Sequence, residues 1–188
     1  MKGKQDRRSL RTRQQLSEAL IELILEKGYS AITVNDIIEH ANVGRSTFYA
    51  HYRDKDDLLV GELDRVVDVL SQHISHEAHT KELLFPSLGL FRHVGEQHEL
   101  YKALIWGPGA DLLFKHEQKS LSEKIQQSLE ENSKEFNIPL PILANFIAGS
   151  FLTLLKWWLD NKIIYSPEQM DEIFRKLTLP AIEEAGIK

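Results

Sequence analysis

Between Arg45 and His51 the chain sets five hydrogen-bonding side chains, Arg45, Ser46, Thr47, Tyr49 and His51, in a short polar run. A guanidinium can donate a bidentate fork to guanine, and hydroxyl or imidazole tips suit base edges and phosphate oxygens. His73, His76, His79 and Glu77 offer ligand types for a metal. His73 and Glu77, four apart, would share a helix face, but the three histidines fan round the helix. A solvated helix end is the expectation, and no metal site is assigned. The chain holds no His-Glu-x-x-His, no Gly-x-Ser-x-Gly and no Gly-rich phosphate loop. It has no cysteine, which excludes disulfides, thiolate nucleophiles and Cys zinc sites. The expectation is a protein that is not an enzyme and uses no cofactor.

Helices must position these groups. Leu16, Ala19, Leu20, Leu23 and Ile24 recur with helical spacing, which predicts an amphipathic helix over 7–27 ended by Gly28. Thr33 with Asp36 three residues on forms a capping-box start. Val34, Ile37, Ile38 and Ala41 then make the apolar face of a short second helix. Asn42-Val43-Gly44 is a tight turn, and a third short helix is expected over 45–52. Asp54 and Asp57 open a fourth, to about residue 76. Further helices are predicted over 87–97, 100–106, 110–134 and 140–161, with Gly107-Pro108-Gly109 as a break. Ser166-Pro167-Glu168-Gln169 starts the last helix, which Pro180 is expected to end or kink. No alternating strand pattern of useful length is present. The fold class is all-α.

Two short helices joined by a tight turn make a helix-turn-helix. Ala41 is small where the helices cross, Val43 plugs the angle between them, and Phe48 and Tyr52 face inward. Arg45, Ser46, Thr47, Tyr49 and His51 are left for the DNA side, the second helix entering the major groove. Thr33 and Asn35 begin the first of the pair, where backbone amides can hold phosphate.

The runs from Gly28 to Ile37 and from Ala41 to Leu59 closely resemble the N-terminal domain of TetR/AcrR-family transcriptional regulators. The Tyr49-x-His51-Tyr52-x-x-Lys55-x-x-Leu58 spacing is specific to that resemblance, and Gly44 departs from it, since the family often has Ser or Thr there. The resemblance implies about nine helices. An N-terminal three-helix DNA-binding domain (residues 1–53) would precede a C-terminal helical bundle for dimerisation and ligand sensing (residues 54–188). It implies that Arg45 and Thr47 meet base edges or nearby phosphates, and that Tyr49, His51 and Lys55 contact phosphate. Lys55 would be helped by the positive end of helix four. Arg7, Arg8 and Arg11 are further basic candidates. The implied partners are a near-palindromic double-stranded DNA operator, a second copy of the chain and a small-molecule effector. Activation, control by a protein partner, and a ligand-binding or scaffold protein that no longer reads DNA stand as alternatives to repression.

In the C-terminal half the helix over 140–159 is apolar on more than one face. Leu143, Ile147, Phe151 and Leu154 lie on one side and Ala144, Ala148, Leu152 and Leu155 on another. Such a helix must be buried all round. A homodimer through the two C-terminal helices meets that need, with Ala144, Ala148 and Gly149 permitting close approach; a central helix of a single subunit is the alternative. Phe91, Tyr101, Trp106, Phe146 and Trp157 are candidates to line an apolar ligand pocket, or else are plain core.

The 188 residues carry a net charge of −5, which at first opposes DNA binding. The sum hides a segregation. Nine basic residues face six acidic ones up to Arg53, net +3, whereas 14 face 22 beyond it, net −8. The basic start lacks the apolar stretch of a signal peptide. The apolar region from Leu143 to Leu159 is interrupted by Asn145, Ser150, Thr153 and Lys156, so no membrane span is assigned. A soluble cytoplasmic protein is expected.

Overall fold

A computed structural model describes residues 2–77, 86–105, 110–131 and 136–186, the side chains of 2–8, 71–77 and Leu112 excepted. The described residues form nine α-helices in chain order. These are α1 (Lys2–Lys27), α2 (Val34–His40), α3 (Arg45–Tyr49), α4 (Lys55–Glu77), α5 (Ser87–Glu96), α6 (His98–Ile105), α7 (Ala110–Glu131), α8 (Leu140–Asp160) and α9 (Pro167–Ala185). A 3-10 turn, Tyr29–Ala31, follows α1. One isolated antiparallel bridge, Phe136 to Gly186, is the only extended pairing among the described residues. The all-α expectation holds, and the predicted starts at Thr33 and Ser166 are both true capping boxes. The Gly107-Pro108-Gly109 break, His79 and Trp106 lie outside the described residues, as do the side chains of His73, His76 and Glu77.

The chain packs as two compact units. The first joins Met1–Leu63 with Glu99–Ala110; the second joins Asp64–His98 with Asp111–Lys188. In the first, the periodic face of α1 (Leu16, Ala19, Leu20, Leu23, Ile24) is buried with Ile32, Ile37, Ile38, Phe48, Leu58 and Leu59. Helices this short are marginal alone, so their ends must be satisfied. At α2, the Asp36 amide donates to Thr33 Oγ1 (3.2 Å), and the Thr33 amide and hydroxyl both donate to Asp36 Oδ2 (2.7 Å each). Lys27 Nζ adds an ion pair to the same oxygen at 3.1 Å.

The second unit is organised by α8. Phe91 of α5, Phe151 and Trp158 of α8 and Phe174 of α9 stack edge to face or tilted, with centroids 4.9 to 5.7 Å apart. Trp158 is fully buried, and its indole N–H donates to the Tyr165 carbonyl (2.9 Å). Gly95 of α5 leaves room for that ring: a Cβ there would come within 3.1 Å of it. Asp171 is buried, accepting from Ser87 Oγ and from Arg175 Nε (2.8 Å).

One expectation is corrected and another is narrowed. Ala144 and Ala148 are wholly buried within one chain, so their small size serves close packing inside the subunit and not against a second copy. Pro180 does not end α9, which runs on to Ala185. The bond a proline removes is the one to the carbonyl four residues back, here that of Lys176, and both residues are exposed, so water can take the freed acceptor. By length and composition alone α8 would suffice to cross a membrane, but half of its most apolar window is buried inside the protein.

The Thr33 hydrogen bonds, ahead of the Lys27 ion pair, hold the Asp36 carboxyl down at about 2. A depressed carboxyl stabilises the fold above its unfolded value and loses that contribution as pH falls through the folded one. Asp36→Asn should therefore lower the urea midpoint at neutral pH. The gap to wild type should close as pH falls from about 4 towards 2, which parallel denaturation curves would check.

Candidate nucleic-acid interface

The turn between α2 and α3 is made by Asn42, whose φ of 51° is left-handed, a conformation Asn tolerates better than most residues. The Val43 amide closes it by donating to the Ile38 carbonyl (3.0 Å). Ala41 is buried at the crossing, as its size requires. Val43 is only half-buried; the angle it was expected to fill keeps a groove of about 400 Å³, lined by Asn35, Ile38, Val43 and Arg45 among others. Gly44 caps α3 with extended backbone and no side-chain bond.

Helix α3 is shorter than predicted. It ends at Tyr49, after which the Ala50, His51 and Tyr52 amides turn back onto Ser46 and Phe48 carbonyls. Phe48 is wholly buried, and among the described residues it is the one side chain by which α3 enters the core. That fixes what faces outward. Arg45 and Ser46 are exposed and Thr47 is half-exposed. Tyr49 is 49% exposed, standing edge-on to Phe48 with the Arg45 guanidinium 5.8 Å from its ring centre. His51 is half-buried beside Tyr52, which also leans on Phe48. Asn35 is exposed on α2, and Thr33 is engaged in its capping box.

Lys55 has an internal task that the sequence did not reveal. Its ammonium donates to the carbonyls of Ile32 (2.8 Å) and Tyr29 (3.0 Å) and lies 4.5 Å from the centre of the Tyr29 ring. The Tyr29 hydroxyl in turn donates to the Asp56 carboxylate. Burial first, then Asp56, push the phenol well above its ordinary range, so it stays a neutral donor. Tyr29, Lys55 and Asp56 thus tie the 3-10 turn to the start of α4. Separate in sequence by 26 residues or more, Tyr29 and its partners leave only the short Lys55-Asp56-Asp57 run as a local signal.

Of the five aromatic residues suggested for a ligand pocket, the three in the second unit differ in burial. Phe91 is wholly buried in the aromatic stack of the second unit. Phe146 and Trp157 are exposed on α8, Trp157 stacking on Tyr165 at 6.2 Å. Tyr101 belongs to the first unit, and Trp106 is outside the described residues.

A short outward-facing helix bearing Arg45, Ser46, Thr47 and Tyr49, braced by a second helix across a tight turn, is a helix-turn-helix reading head on an all-helical body. Two family profiles match the chain: residues 16–61 fit "Bacterial regulatory proteins, tetR family", and residues 86–179 fit "Transcriptional regulator C-terminal region". The chain belongs to the TetR family of bacterial transcriptional regulators. It is 40% identical over 71 residues to the uncharacterized HTH-type transcriptional regulator YxbF of Bacillus subtilis, covering 37% of this chain and 19% of that protein. It is 24% identical over 191 residues to the probable acrEF/envCD operon repressor of Escherichia coli K12, with 89% of this chain and 87% of that protein covered. A TetR transcriptional regulator from Streptococcus agalactiae superposes with a TM-score of 0.60 and 28% identity over 95% of this chain and 99% of the other.

Because two of its ammonium protons hold backbone carbonyls, Lys55 should matter without DNA. Lys55→Met keeps the stem but drops the donors, and should cost about 1–3 kcal/mol in urea unfolding of the DNA-free protein. A lysine that served only phosphate would leave that curve unchanged.

Proposed function

We propose that this protein is a sequence-specific repressor that binds a near-palindromic operator as a homodimer. The observation that carries the reading is α3: one buried anchor, Phe48, and a polar face of Arg45, Ser46, Thr47 and Tyr49 turned to solvent. Arg45 and Thr47 read base edges. Ser46 is small enough to let the helix approach. Tyr49, His51, Lys55, Thr33 and Asn35 position the head on phosphates. Lys55 does so with the charge and third proton left after its two carbonyl bonds. The printed name of the E. coli relative supports repression as the direction of control.

The division of labour follows the charge. Residues 1–53 hold DNA, and the acidic residues 54–188 dimerise and sense. Exposed apolar side chains on the two C-terminal helices support dimerisation. Ile142 (62% exposed), Phe146 (52%) and Trp157 lie along one side of α8, and Leu177 (67%) stands on α9. On one helix, residues at spacings of four and eleven share a face. In a cytoplasmic protein a patch of this kind marks an interface. A small-molecule effector bound in the C-terminal domain would move α4, favouring the conformation it binds better and so lowering operator affinity.

Fluorescence anisotropy on DNA from upstream of the protein's own gene tests the reading, and failure to bind even at low salt would sink it. Arg45→Ala should lose about 1–3 kcal/mol of discrimination at one base-pair position in each half-site. Leu177→Glu should convert the dimer to a monomer by light scattering and abolish tight operator binding. An unchanged mass would place the interface elsewhere.

A further inference from the structure

The DNA-binding reading leaves one cluster of ligating side chains without a role. Asp64 of α4 and His116 and Glu117 of α7, all in the second unit, are half-buried, and each offers one ligand atom to the cluster. The two carboxylate oxygens and the imidazole nitrogen lie within 4.8 Å of one another. His116 Nε2 is 3.3 Å from Asp64 Oδ2, and the Ser120 hydroxyl donates to Asp64 Oδ1 (2.6 Å). Ser120 therefore orients the Asp64 carboxylate by one oxygen and leaves the other facing His116, as an outer partner of a metal ligand does.

Glu117 is what makes the cluster unusual. Its Oε1 is buried and has no hydrogen-bond partner among the described residues. A buried carboxylate oxygen left unmatched is costly and calls for an explanation in a native site. Burial, and then the charge of Asp64, push the Glu117 carboxyl up to about 7. The nearby ammonium of Lys124 is held by Asp68 at 2.6 Å and does not fill the position. Two carboxylates and an imidazole thus converge with no cation between them. A bound divalent ion would neutralise the pair of carboxylates and satisfy the orphaned oxygen.

We propose that Asp64, His116 and Glu117 bind a divalent first-row transition-metal ion such as zinc or manganese. A nitrogen donor distinguishes the set from the all-oxygen shells of calcium and magnesium, and the absence of sulfur disfavours copper(I). Three protein ligands leave at least one position of a four-coordinate ion for water or an exogenous anion. Closing the shell needs small shifts only: ligands at about 2.0–2.2 Å from one ion lie about 3.5 Å apart in tetrahedral geometry. The inference stands apart from DNA recognition, since its test needs no DNA.

The protein, stripped with chelator, would be titrated with Zn2+ by calorimetry and with Co2+ by visible absorption. One ion per chain is expected, with cobalt bands of a nitrogen–oxygen site. His116→Ala and the isosteric Glu117→Gln should each weaken Zn2+ binding by at least about tenfold, since changes to outer partners alone cost that much. Glu123→Gln, an exposed change on the same helix, should leave it unaltered. Far-UV circular dichroism keeps the test sound. Should His116→Ala lose its helical signal, Glu117→Gln carries the comparison. Uptake of no ion at neutral pH would overturn the proposal. Unchanged affinity in both variants, with loss in His73→Ala, would overturn it equally, by placing the ion among the histidines at the end of α4.

Discussion

The burial of Phe48 is the constraint on which the reading head depends. Helix α3 has only five residues, too few to be stable by its own hydrogen bonds. It is a helix because one aromatic side chain is locked into the core made by α1, α2 and the start of α4. That single anchor sets its rotation, and the rotation decides which side chains meet solvent. Arg45, Ser46, Thr47 and Tyr49 owe their exposure to what Phe48 does. The rest of the unit serves to keep this geometry: the capping box at Thr33 and Asp36, the left-handed Asn42, and the Lys55 contacts that pin the 3-10 turn to α4.

The second unit solves a different problem. Helix α8 is apolar on nearly every side, and a helix of that kind must find partners in all directions. Within the subunit it finds α5 and α9, through the stack of Phe91, Phe151, Trp158 and Phe174. The small residues Ala144 and Ala148 are wholly buried on that inner side. What is left outside is a separate set, Ile142, Phe146 and Trp157, so the inner and outer apolar residues of α8 are distinct. The same unit also holds buried polar groups, Asp171 with two donors and Glu117 with an oxygen that has none among the described residues. That contrast sets the α7 cluster apart from ordinary structural polarity.

Much of this was legible in the sequence, for identifiable reasons. Apolar residues at helical spacing gave α1 and α2, and the capping signals at Thr33 and Ser166 are local chemistry that needs no partner to be read. The outward face of α3 was legible because Phe48, facing inward as expected, leaves Arg45, Ser46 and Tyr49 turned to solvent. Helix α3 ends three residues before the expected residue 52. Beyond Tyr49 the backbone continues in hydrogen-bonded turns, and Tyr52 packs only partly. Pro180 does not end α9, because the cost of a proline depends on whether the carbonyl it strands can reach water, and that is a matter of exposure.

The sequence by itself determined the all-helical class, most helix starts, the helix-turn-helix and the segregation of charge. All of these rest on interactions among residues a few positions apart, or on sums along the chain. Tertiary structure alone decided which small residues of α8 are internal, and that Lys55 serves the fold as well as any phosphate. It alone brought Asp64 to His116 and Glu117 across 52 residues and more. Side chains that meet only after helices pack leave no periodic trace in the chain, because nothing local constrains the distance between them.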